Sequence, residues 1–346
     1  MKNKKILFII VCVILLLCAV FVFLPKDKKD LDGKVVKTSE INLDDYQENI
    51  ILNSKKEYTL SGNFRNTIII DSKEDVVLNL NNVRIETRNV IPIVNLQNNK
   101  LAINISSREE NTISNKGRNE YNSCIFSNGD IVINGEGVLN IENEYTDGKG
   151  ITSKGNLIEI NNGEIYIKTK DDGVFAESEK SNVKINGGDI YIVGGTDAID
   201  SNNKIEINGG NLYALGSNEN KQAGLETNNG YTINGGTVIM LGSSSSELPL
   251  DTSKQKVMYF KMDSDFNEQT NLILTNDKKE SIISFKVPNE FRVMVISSEK
   301  IMDGNYYLYK DNIDKENNKI SINKEETFKV NKTITKFGKK DRERTY

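Results

Sequence analysis

Five carboxylates and three tyrosines stand at matched places in a repeated phrase, and their types and spacing offer chemistry. Aligned on that phrase, Asp172, Asp197 and Ala223 fall in one column, and Phe175, Asp200 and Glu226 in a second, with Asp171 beside the first. If successive repeats stack ~4.8 Å apart, carboxylates on neighbouring repeats can share a hard cation, since calcium takes oxygen ligands at about 2.3–2.6 Å. Without a cation, like charges stacked so closely repel by about a kcal/mol even in water. The same acids also read as solvated turn residues, because Asp before Gly suits a tight turn. Tyr166, Tyr191 and Tyr213 share one repeat position and are each flanked by aliphatic neighbours, which predicts an outward ladder. Aromatic rings with a hydroxyl at the edge stack on the apolar faces of sugars. Aromatic ladders also strengthen a sheet whatever it binds.

The element that must position these groups is the repeat itself. Ile160-Asn161-Asn162-Gly163-Glu164-Ile165-Tyr166-Ile167 returns as Ile185-Asn186-Gly187-Gly188-Asp189-Ile190-Tyr191-Ile192, then from Ile207 and from Ile233. A degenerate copy opens at Ile133, so the leading isoleucines at 133, 160, 185, 207 and 233 are separated by 27, 25, 22 and 26 residues. Period-two alternation of Ile, Val and Leu, punctuated by Asn-Gly, marks strands rather than helix. Three short strands and three turns in roughly 25 residues fit one coil of a parallel β-helix, where a propeller blade needs about 40. Ile165, Ile190, Leu212 and Val238 are then expected inside as one buried column. Asn161, Asn186, Asn208 and Asn234 form a further column whose amides are expected to hydrogen-bond from coil to coil.

The rest of the chain divides around this array. Ile6 to Leu24 runs without a charge, and nineteen residues at about 1.5 Å rise nearly match a ~30 Å hydrocarbon core. Lacking a visible cleavage site, residues 1–24 read as a retained, single-pass anchor with the polar body outside the cell, in preference to the alternative of a cleaved signal peptide. Residues 25–48 are charged and read as a tether; residues 49–245 are the β-helix; residues 246–330 read as an antiparallel β cap or small sandwich, and 331–346 as a tail. Divergent strands at Thr67–Ile70, Val76–Leu80 and Leu101–Ile105 are entry coils. Cys124 sits in the slot that later coils fill with Gly150, Gly173, Ala198 and Gly224, so it reads as packing. A net charge of −4 without a strong basic cluster excludes nucleic acid as the natural partner.

The Asn-Gly-Gly phrases, Asp171-Asp172-Gly173-Val174, Ser123-Cys124-Ile125-Phe126-Ser127 and Val295-Ile296-Ser297-Ser298 together resemble the bacterial carbohydrate-binding β-helix family, over about residues 50 to 310. The resemblance implies an exported right-handed parallel β-helix, similar in fold to pectate lyases. It also implies calcium along the helix and binding of plant polysaccharides such as polygalacturonate. Only Asp171-Asp172-Gly173-Val174 keeps the family's acidic turn intact; Asp197-Ala198-Ile199 and Ala223-Gly224-Leu225 depart from it. On this reading the metal residues are Asp171, Asp172, Asp197, Asp200 and Glu226, the sugar-binding residues Tyr166, Tyr191 and Tyr213, and catalytic residues none. The ligand is an acidic or plant-cell-wall glycan.

Two other function classes use the same scaffold. A polysaccharide lyase or polygalacturonase needs two placed carboxylates, or calcium with a base. The chain holds no His, and no Arg between residues 119 and 291, the region of the acids, which leaves proton transfer without an imidazole or a nearby guanidinium. A surface stalk or adhesin needs only the solenoid.

Overall fold

The computed structural model describes residues 31–106, 110–217, 222–243, 245–266, 270–288 and 290–338. These residues are all β, with two 3-10 turns at Leu43–Asp45 and Glu316–Asn318. No helix among them is long and apolar enough to cross a membrane. The expected anchor, Ile6–Leu24, lies outside the described residues.

Parallel ladders dominate. The first runs through nine short strands in chain order, from Lys34–Val35 to Ile199–Ser201 and Leu225–Thr227, each pairing with the one a repeat away. A second passes through Leu101–Ile105, Ile131–Gly135, Leu157–Ile160, Asn182–Ile185, Ile205–Ile207 and Tyr231–Ile233. The third passes through Glu110–Asn115, Val138–Asn143, Glu164–Lys168, Asp189–Val193, Asn211–Leu215 and Thr237–Gly242. The longer strands Glu57–Phe64 and Val76–Thr87 contribute to both the second and the third. From residue 57 to 242 the chain visits the three ladders in turn, adding one level at each circuit.

The repeated phrase has a steric cause. Gly163, Gly188, Gly210 and Gly236 all hold positive φ, between +79° and +118°, a region that L side chains avoid. A Cβ on Gly188 would lie 2.6 Å from the carbonyl oxygen of Gly163, and one on Gly210 would lie 2.5 Å from that of Gly188. The turn between second and third ladders therefore stacks backbone directly on backbone. The asparagines two residues earlier tie the levels together: Nδ2 of Asn104, Asn134, Asn161, Asn186, Asn208 and Asn234 each donates to Oδ1 of the asparagine one level before, at 2.8–3.1 Å. The amide chain thus begins at Asn79, three levels before the clear repeats.

Inside, Ile165 pairs with Ile190, Ile190 with Leu212 and Leu212 with Val238, and none of the four is more than 2% exposed. Similar columns of Ile and Val make one core from Val36 to Val295. Each fully buried aliphatic side chain contributes about 2 kcal/mol, which makes this core the principal stabilising term.

Two boundaries differ from expectation. Lys34–Val35 and Glu40–Asn42 already belong to the ladders, with Val36, Ile41 and Leu43 buried, so the array starts inside the stretch 25–48. One apolar residue per short strand is too sparse to show as periodicity. At the other end Ile334–Gly338 pairs in parallel with Val257–Lys261, so residues expected as tail are part of a sheet.

The C-terminal region is continuous with the array. Phe291–Ser297 pairs antiparallel with Thr237–Gly242, the last strand of the third ladder, and with Val257–Phe266. A separate antiparallel sheet contains Asn271–Asn276, Ser281–Lys286, Gly304–Lys310, Lys319–Ile320 and Phe328–Val330. Phe328 of this sheet shares a second core with Phe260, Phe291 and Phe337 of the strands continuous with the array, and with Leu215, Ile239 and Leu241 of the third ladder.

Candidate functional site

The acids lie on and just before the first ladder. Phe175 pairs with Asp200 and Asp200 with Glu226, the register expected for the second acidic column. Ser123 pairs with Lys149, Ile151 with Val174 and Val174 with Ile199. Stepping back two residues puts Lys149, Asp172 and Asp197 on successive levels of the other column.

Lys149 is the residue that the sequence reading missed, and it changes the site. Its ammonium lies 2.5 Å from Oδ2 of Asp171, pairs equally closely with Asp172, and sits 4.8 Å from the Phe175 ring centroid. Burial opposes that charge, but Asp172 and then Asp171 outweigh it, and the Lys149 pKa is raised. Thr196 Oγ1 donates to Asp171 at 2.9 Å and to Asp172 at 2.5 Å. The signal was present in the sequence: Gly150 occupies the small-residue slot with Gly173, so the residue before it belongs with Asp172.

Asp197, Asp200 and Glu226 make no ion pair among the described residues. Asp197 accepts the Ala223 N–H. Burial, then the charges of Glu226, Asp172 and Asp200, push its pKa up to about 8, with the Ala223 N–H working the other way. Asp200 is pushed up to about 7 by burial first, then by Asp172 and Glu226, against the pull of Lys149. Among the described residues, no three His, Cys, Asp or Glu side chains come together in a way that holds a metal ion. Among the described residues the five acids thus do not gather into one such group, and two of them, Asp171 and Asp172, share the single Lys149 ammonium.

The tyrosines are in register, Tyr166 with Tyr191 and Tyr191 with Tyr213. Their surroundings differ from the expected open ladder. Tyr191 and Tyr213 stack at 4.7 Å between centroids and 16° between planes, and Tyr166 and Tyr191 lie 6.3 Å apart and tilted. Tyr213 is covered by the C-terminal sheet: its ring is 6.2 Å from Phe285 and its hydroxyl donates to the Lys286 carbonyl. Burial accordingly raises the pKa of Tyr191 and, more strongly, of Tyr213. Tyr166 alone of the three is an exposed large side chain, at 42%, with its hydroxyl donating to Glu164 at 2.7 Å. Two tyrosines therefore act as an interface with the C-terminal sheet, and the third faces solvent.

Cys124 is fully buried, its thiol 3.3 Å from the Glu142 carbonyl, and burial raises its pKa far above the ordinary thiol range. It is a packing residue.

The family described as "carbohydrate-binding domain-containing protein" matches residues 46–267, more than half of the chain. No curated protein and no solved structure matches.

Proposed function

Because the chain belongs to the carbohydrate-binding domain-containing protein family, we propose that it is a non-catalytic polysaccharide-binding protein, held at the cell membrane by Ile6–Leu24 with its body outside. The observation that carries this is the extent of the family match: residues 46–267 span nearly all of the three ladders. We read those ladders as the faces of one right-handed parallel β-helix. Its third face presents Tyr166, an exposed ring with a hydrogen-bonded hydroxyl, which is a suitable platform for a sugar.

The non-catalytic reading follows from the residues at hand. With no His in the chain, no imidazole is available for proton transfer, and Asp171 and Asp172 are held by Lys149. Binding modules need aromatic and polar surface rather than a poised acid–base pair.

Calcium-assisted capture of an acidic glycan is a second reading, and one observation favours it. Asp197, Asp200 and Glu226 occupy neighbouring levels without an ion-pair partner among the described residues, and burial has raised the first two pKa values. A divalent cation would relieve that repulsion and give a uronate carboxylate a bridge to the protein, provided the three side chains gather around it.

Glycan profiling of the full-length chain, with and without chelator, tests both readings. Binding to polysaccharide in chelator supports the first; binding to polyuronate only with calcium supports the second. Cleavage of the bound glycan, or no glycan binding at all, refutes the non-catalytic binding assignment.

A further inference from the structure

The tyrosine position of the third ladder continues far beyond the tyrosines. Tyr166 pairs with Asn140, Asn140 with Thr112, Thr112 with Arg84, and Arg84 with Asn63. Each of these side chains is half-buried or exposed, so one outward column runs from an aromatic platform to a guanidinium. Three levels separate Tyr166 from Arg84, or ~14 Å at ~4.8 Å per level, a length of a few sugar units.

The column ends in a cleft. A cavity of about 530 Å³ is lined by Tyr46, Asn63, Arg65, Arg84 and Glu86 among others, and a second of about 470 Å³ adjoins it through Asp44, Asn63 and Arg84. The polar groups here are fixed before any ligand arrives: Asn63 donates through N–H and Nδ2 to Asp44, at 3.2 and 3.1 Å, and Arg84 donates to Glu86 at 2.7 Å. Arg65 is exposed and makes no ion pair or hydrogen bond among the described residues. Planar donors and acceptors set around an aromatic ring are the groups that orient a polyhydroxylated ligand.

Charge selects the kind of glycan. The column is flanked on one side by Glu110, Glu164 and Asp189, and on the other by Glu86 and Glu142. Among the described residues, ion pairs from Arg84 and Lys168 answer two of these five, Glu86 and Glu142. Carboxylates beside a groove accept strong hydrogen bonds from sugar hydroxyls but repel a chain of uronates.

We propose that a linear, uncharged polysaccharide lies along this column, parallel to the stacking direction, from Tyr166 to the cleft at Arg84. The proposal rests on the glycan-binding reading and adds to it the site, the direction and the charge of the ligand. It also separates the binding face from the acidic columns of the first ladder.

Calorimetric titration of the full-length chain with β-1,4-linked gluco-oligosaccharides of two, four and six units, and with polygalacturonate, tests it. Affinity is expected to rise from two to four units. Tyr166→Ala and Arg84→Ala should each weaken four-unit binding about tenfold, with unchanged melting temperature. Arg65→Ala, at an exposed side chain of the cleft, should weaken it as well. Affinity independent of length, or loss confined to Tyr166→Ala, would overturn the column while leaving glycan binding intact. Tighter binding of polygalacturonate than of the neutral series would overturn the charge assignment. Failure to bind every glycan would overturn this proposal and the family-level reading together.

Discussion

Replacing Lys149 by Met tests whether an internal cation holds the acidic columns together. The substitution keeps the stem that packs near Phe175 and removes the ammonium shared by Asp171 and Asp172. The side chains of Lys149, Asp171 and Asp172 are 19%, 22% and 7% exposed, between a surface pair worth at most about 1 kcal/mol and a buried pair whose disruption costs about 3–5 kcal/mol. Loss of the cation over the Phe175 ring adds about 0.5–1 kcal/mol. A total of about 3 kcal/mol, at about 2 °C per kcal/mol for a large domain, predicts a melting temperature about 6 °C lower. Differential scanning fluorimetry in excess chelator reads this directly. Millimolar calcium is expected to restore part of the loss in Lys149→Met and to change the parent much less, because only the variant exposes Asp171 and Asp172 to an outside cation. An unchanged or higher melting temperature in chelator would refute the reasoning, showing that the acids repel too weakly to need their lysine.

Three further outcomes follow from the same geometry. In chelator, stability should fall as pH rises from about 4 to 8. Asp197 and Asp200, with folded pKa values of about 8 and about 7, hold protons there that the unfolded chain has released; melting curves across that range should flatten in Asp197→Asn. Asn186→Ala interrupts the amide chain in its middle, removing bonds of 2.8 and 2.9 Å to Asn161 and Asn208, and should cost about 1–2 kcal/mol in chemical denaturation. The membrane proposal predicts full-length protein in the membrane fraction; mass spectrometry finding a mature N-terminus between residues 20 and 35 would refute it.

Much of this protein was determined by its sequence alone, because stacked parallel ladders are held by contacts between equivalent positions. The alternation in Glu164–Lys168 and Asp189–Val193 places Ile165 and Ile190 inside with no knowledge of the rest of the fold. The spacing of Asn161, Asn186, Asn208 and Asn234 likewise specifies a column, since each amide bonds to its own counterpart one level away. Gly188, Gly210 and Gly236, each after an Asn-Gly pair, are legible for a related reason: a Cβ there would strike the carbonyl of the preceding level. Lys149 was equally local, one residue before the small slot at Gly150, and needed only the alignment carried one level further.

Tertiary structure alone decided what each outward column meets. Nothing near Tyr213 announces that Phe285 and Lys286, some seventy residues later, will cover it, and so the tyrosines that look equivalent in the repeat divide into two packed rings and one exposed ring. The phrase does reach Arg84, in the divergent copy Leu80-Asn81-Asn82-Val83-Arg84-Ile85, but that copy lacks the glycines, and backbone pairing through Thr112 and Asn140 sets its register against Tyr166. Pairing between neighbouring levels is a local interaction that the chain repeats. The covering of a face depends on where a distant sheet folds back, and that is decided by the burial of Phe260, Phe291, Phe328 and Phe337 in a second core that Leu215, Ile239 and Leu241 of the third ladder share.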